Sequence, residues 1–155
     1  MREVGEFIIG IFTNLPLVSA VIAMFVAQLI KVPYYYIKDK DWDPGRFFET
    51  GGMPSSHSAM VCSLSMTIGL TSGWNSIWFA IAVVFSIIVM YDAAGVRRAA
   101  GKQALILNRI VEDIYATGKV SENRLQELMG HTPLEVVFGA LLGVLNSVII
   151  YFIIF

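Results

Sequence analysis

Gly51-Gly52-Met53-Pro54-Ser55-Ser56-His57-Ser58-Ala59 decides how this chain folds. Two glycines and a proline mark a turn. Small hydroxyl residues and a histidine follow, and the sequence is then apolar as far as Leu70. That order describes a polar, glycine-rich loop opening a membrane helix. Backbone N–H groups at such a helix start bind anions. The stretch therefore predicts a phosphate-holding loop whose partners come from elsewhere in the chain.

The surrounding composition fits a membrane setting. Of 155 residues, 56% are hydrophobic and 15% charged, and mean hydropathy is +0.68. This is too apolar for an ordinary soluble domain of that length. One domain, residues 1–155, is expected. The net charge of -1 favours no nucleic-acid partner. The single cysteine, Cys62, lies within an apolar run and reads as a small buried hydrophobe. The acidic start, Met1 to Glu6, does not resemble a cleavable signal peptide.

Working outward from the loop, four apolar stretches predict an all-α integral membrane bundle. They run from about Leu15 to Ile37, Ser56 to Leu70, Ser76 to Ala94 and Pro133 to Phe155. Gln28, Lys31 and Pro33 interrupt the first, and the second is short for a span. Residues 7–12 suggest an interfacial lead-in. Trp74 and Trp78 flank the second connection, as at a membrane interface. Four crossings place connections 38–54 and 95–132 on one side. With Lys31 they hold ten of the eleven Lys and Arg residues, Arg2 alone lying opposite. The positive-inside rule makes that side cytoplasmic and leaves both termini outside.

The long connection, 96–130, reads as an amphipathic insertion. Ile106, Leu107, Ile110, Val111 and Ile114 recur at helical spacing between about Arg98 and Tyr115, opposite Lys102, Asn108, Arg109, Glu112 and Asp113. Such a helix lies on the membrane or over the bundle mouth. Gly118 ends it, and Ser121 to Leu128 predicts a second short helix before Gly130.

Alternating topology gathers the polar residues of the spans at one face: Lys31; Ser55, Ser56 and His57; Asp92, Arg97 and Arg98; His131 and Glu135. Ionisable groups at the membrane are costly and are functional candidates by default. Cations, two histidines and two helix starts suit an anion and acid–base chemistry. Each has a plainer role. Lys31 can snorkel to headgroups, and Arg97 and Arg98 can anchor the cytoplasmic end. Ser55 and Ser56 can cap a helix. Thr132-Pro133-Leu134-Glu135 is a capping box. Asp92 can pair with either arginine. Gly139 and Gly143 serve helix packing, with homodimerisation as a further use.

Pro54-Ser55-Ser56-His57 resembles the P-S-G-H motif of the PAP2 superfamily of phosphatidic acid phosphatases and vanadium haloperoxidases. Gly130-His131-Thr132-Pro133-Leu134-Glu135-Val136 resembles its final H-x-x-x-D segment. The opening stretch, together with Tyr91-Asp92-Ala93-Ala94-Gly95-Val96-Arg97-Arg98, is similar to the divergent PAP2 family of small membrane proteins from bacteria and plants. The resemblance covers about residues 28 to 145. It implies a bacterial cytoplasmic-membrane phosphatase with no metal or other cofactor. His131 would become phosphorylated, Glu135 would orient it, and His57 would protonate the leaving oxygen. Lys31, Ser55, Ser56, Arg97 and Arg98 would bind phosphate, with Asp92 in support. Ser56 stands where the superfamily has Gly, and Arg97 and Arg98 precede His131 by more than 30 residues. Lys38 or Lys40 with Arg46 rivals Lys31 for the first motif.

The leading expectation is hydrolysis of a lipid phosphate: an isoprenoid phosphate or diphosphate, phosphatidate or phosphatidylglycerol phosphate. Non-catalytic binding of anionic lipid and phosphate transfer to another hydroxyl are the alternatives.

Overall fold

The computed structural model describes residues 2–40, 42, 44–48, 51–116 and 130–154, excepting the side chains of 2, 46, 48, 97, 98, 113, 115 and 116. The described residues form helices α1 (Arg2–Thr13), α2 (Leu15–Asp39), α3 (Ser56–Ser72), α4 (Ile77–Ala94), α5 (Val96–Ala116) and α6 (Pro133–Ile154), with a 3-10 turn at Pro44–Phe48 and no strand. The expected short helix from Ser121 to Leu128, with Gly118, Lys119 and Arg124 around it, lies outside the described residues.

Three stretches are long and apolar enough to cross a membrane: Leu15–Asp39, Ile77–Glu112 (α4 continuing into α5) and Pro133–Ile154. The expected second span, α3, has only 17 residues. It rises about 25 Å, against a hydrocarbon layer of about 30 Å. Its composition suits an interior place better than a lipid-facing one. Ser56, Ser58, Ala59, Val61, Ser63, Ser65, Thr67 and Gly69 are buried, and α2, α4 and α6 all pack on it. Small side chains let three helix backbones approach one axis closely.

The α3–α6 seam is the tightest place. A Cβ on Gly139 would strike the Ser55 carbonyl, and one on Gly143 the Ala59 carbonyl. One turn further, Ser63 Oγ meets Ser147 Oγ at 2.9 Å. The matches 55–139, 59–143 and 63–147 run in the same direction, so α3 and α6 are parallel. The seam offered for homodimerisation thus lies inside one chain.

Helix α2 runs antiparallel to both. Ala23 and Ala27 pack with Ala59, and Ser19 Oγ reaches Ser63 Oγ at 2.9 Å. Asn146 Nδ2 donates to the Ser19 carbonyl at 3.0 Å and to Ser63 Oγ at 3.2 Å. On the other side of α3, Ser65 and Ser86 hydroxyls are 2.7 Å apart. Each such bond adds about 0.6 kcal/mol between membrane helices. Together they set the register of helices whose outer faces are exposed and apolar.

The remaining elements sit at the ends. Asn14 caps α2 through Leu17 N–H at 3.1 Å, separating it from α1, whose Phe7, Ile9 and Phe12 are exposed. The stretch expected as a short lead-in, residues 7–12, is thus part of a twelve-residue helix. Ser76 caps α4 through Phe79 N–H at 3.2 Å, and the Trp74 ring covers Gly69. In α5 the apolar residues Ile106, Leu107, Ile110 and Ile114 are exposed. Gly101 and Asn108 are buried instead, so Asn108, expected on the polar face, is turned inward.

Candidate active site

The site is assembled from two helix starts. At the first, Ser55 is the N-cap of α3 and fully buried. Its Oγ accepts from Ser58 N–H at 3.3 Å and from the Ser58 hydroxyl at 3.1 Å. Ser55 therefore does cap the helix, as its plainer role required. With its oxygen accepting, its own O–H remains a donor. Ser56, the first helical residue, is buried too. Gly52, at φ +78°, lets the loop pass beneath the Tyr35 ring, which occupies the space of a Cβ there.

At the second, the capping box forms in full. Thr132 N–H donates to Glu135 Oε2 at 3.1 Å, and Glu135 N–H to Thr132 Oγ1 at 3.4 Å. The same carboxylate oxygen meets His131 Nδ1 at 3.1 Å. One carboxylate thus closes the helix start and orients a ring that is 3% exposed. A carboxylate at Nδ1 draws the proton to that nitrogen and leaves Nε2 the basic one.

Backbone bonds lock the two starts together. Ser55 N–H donates to the Glu135 carbonyl at 3.0 Å, and His131 N–H donates to the Ala93 carbonyl at 3.0 Å. The second bond anchors the end of α4 beside the histidine. The His57 and His131 rings, 74 positions apart in the chain, lie with centroids 6.1 Å apart at 64°.

Lys31 reaches the same end by register. It lies twelve residues along α2 from the Ser19 layer, and Glu135 lies twelve residues along α6 from Ser147. Both offsets amount to about 18 Å in the same direction. Lys31 is 1% exposed. Its rivals differ: Lys38 is exposed, with Nζ 5.7 Å from the Tyr35 ring centroid, and Lys40 is an exposed left-handed C-cap. A buried ammonium costs far more than an exposed one, so burial singles Lys31 out for a specific role.

The other expected residues are less closely joined. Asp92 is half-buried in the last turn of α4. Arg97 and Arg98 occupy the first turn of α5, close in sequence to Ala93; their side chains, like that of Arg46, lie outside the described residues. Ser58 was not among the expected site residues. Its signal was its position, a hydroxyl three residues after an N-cap serine.

The fold is an all-helical membrane bundle with a carboxylate-oriented histidine at one helix start and a second histidine at the neighbouring one. Residues 12–146 match the model of the Divergent PAP2 family, and the chain belongs to that family. It is similar to Uncharacterized membrane protein YuiD of Bacillus subtilis (strain 168), at 42% identity over 151 residues, covering 90% of this chain and 96% of the relative. No solved structure matches it.

Proposed function

We propose that this protein is a membrane phosphatase that removes phosphate from a lipid through a phosphohistidine at His131. The supporting observation is the His131 Nδ1–Glu135 Oε2 contact at 3.1 Å, with the His57 ring 6.1 Å from that of His131. In the first step His131 Nε2 forms a bond to phosphorus as the ester P–O bond breaks. His57, protonated, gives its proton to the leaving alkoxide. In the second step His57 takes a proton from water, whose oxygen attacks phosphorus. The P–N bond then breaks and inorganic phosphate leaves. Lys31, the Ser55 hydroxyl, the α3 start around Ser56 and an arginine from Arg97 or Arg98 neutralise charge on the phosphoryl oxygens. Asp92 would position that arginine. The nucleophile is a side chain, so the proposed route needs no metal.

Purified protein incubated with lipid phosphates and a chelator is expected to release inorganic phosphate. Phosphate binding with no turnover on any lipid phosphate would replace this proposal with the lipid-binding one. Transfer of phosphate to an added alcohol in preference to water would make it a phosphotransferase.

The excess of Lys and Arg in connections 38–54 and 95–132 supports a cytoplasmic site. A membrane-impermeant thiol reagent applied to intact cells is expected to label Asn75→Cys and spare Lys40→Cys, each in a Cys62→Ser background. The reverse pattern would put the site outside.

A further inference from the structure

An apolar groove of about 290 Å³ lies between α2 and α6, lined among others by Ile30, Tyr34, Pro54, Phe138, Leu142 and Leu145. Its residues tie it to the site. Ile30 and Tyr34 bracket Lys31 on α2. Pro54 immediately precedes Ser55, and Phe138 follows Glu135 by three residues. Its α6 lining runs from Phe138 to Leu145, seven residues or about 10 Å. That is about a third of the hydrocarbon thickness of a bilayer. Its deep end coincides with the bond from Asn146, next to Leu145, to the Ser19 carbonyl of α2. The two helices are joined there and open toward the polar site.

We infer that this groove holds a single hydrocarbon chain of the substrate, running from the phosphate site toward the bilayer midplane. The inference rests on the phosphatase reading for its headgroup. The occupant follows from shape and continuity. The groove has Pro54, next to Ser55, at one end and Leu145, next to the Asn146–Ser19 bond, at the other. Its volume falls just below the roughly 300–1,000 Å³ of small-molecule pockets, which suits one chain and not two. Lipid tails are as apolar as the groove wall, so the groove contributes alignment more than affinity. It selects for an amphiphile with one alkyl or isoprenyl chain on its phosphate. A second shallow groove, around Ile81, Val84 and Ile88, is lined by α4 alone and supplies a control.

The test uses the full chain in nanodiscs with dodecyl phosphate carrying a diazirine at its chain end. Photolysis is expected to label the deep end of the groove, residues 141–145, and unlabelled dodecyl phosphate should suppress this labelling while dodecanol does not. Leu145→Trp, at a lipid-exposed position, should reduce labelling at least tenfold. Val84→Trp should leave it unchanged. Dioleoyl phosphatidate should compete at least tenfold less well than dodecyl phosphate. Labelling spread equally over the α4 face, or unaffected by Leu145→Trp in a folded protein, overturns the groove assignment. Equal competition by the two-chain lipid overturns the one-chain assignment. Labelling in the groove without phosphate release would remove the phosphatase reading and leave the groove standing.

Discussion

His131→Ala is expected to lower phosphate release by at least about 10³-fold while the protein stays folded. Removing a nucleophile removes the step itself, and what remains is only the effect of binding and charge stabilisation. The fold should survive because backbone bonds also hold this corner. His131 N–H to the Ala93 carbonyl is a backbone bond, and Glu135 still accepts from Thr132 N–H. Helical circular dichroism and the unfolding midpoint therefore serve as controls. The partner variant separates the two histidines by role. His57→Ala should cost about 10²–10⁴-fold on a lipid ester, the range for a lost general acid. It should cost less on an activated aryl phosphate, whose leaving group needs no proton. With that substrate, His57→Ala should accumulate an acid-labile, base-stable phosphoenzyme that His131→Ala never forms. Equal phosphate release by wild type and His131→Ala would refute the nucleophile assignment.

The largest stability effect is expected from Gly143→Leu. Its Cβ would fall on the Ala59 carbonyl and close to Ser63 N. Both are backbone atoms of α3, so no side-chain rotation relieves the clash and the two helices must part. Ordinary overpacking costs about 1–3 kcal/mol; with backbone on both sides this substitution should reach or exceed about 3 kcal/mol. Separation would also break the Ser63–Ser147 contact at 2.9 Å and shift Ser55 from the Glu135 carbonyl. Activity and folding should therefore be lost together. Gly10→Leu is the matched control, because a Cβ there meets nothing within 4 Å. Titration with a denaturing detergent, followed by tryptophan fluorescence, measures both. An unchanged midpoint for Gly143→Leu would refute the close α3–α6 seam.

Much of this was legible before any coordinates. The Thr132-Pro133-Leu134-Glu135 box is a local pattern whose hydrogen bonds span only three residues. The convergence of His57 and His131 was expected from counting successive apolar runs, which alternate direction. Other features depend on partners far along the chain. No local signal tells Ser19, Ser63 and Ser147 that they share one layer, since their bonds join residues 44 and 84 positions apart. Asn108 was misread because periodicity identifies a helix face but not what the face meets.

Composition, apolar run length and helix-start chemistry, all properties of neighbouring residues, were enough for a helical membrane protein with histidines and cations at one end. The burial of Lys31 against the exposure of Lys38 and Lys40, the interior placement of α3, the inward use of Gly139 and Gly143, and the groove beside Pro54 required the packed structure. Each depends on which backbone lies opposite and how closely it approaches. A lysine's burial and a glycine's partner are set by the neighbouring helix, which the residue's own segment does not encode.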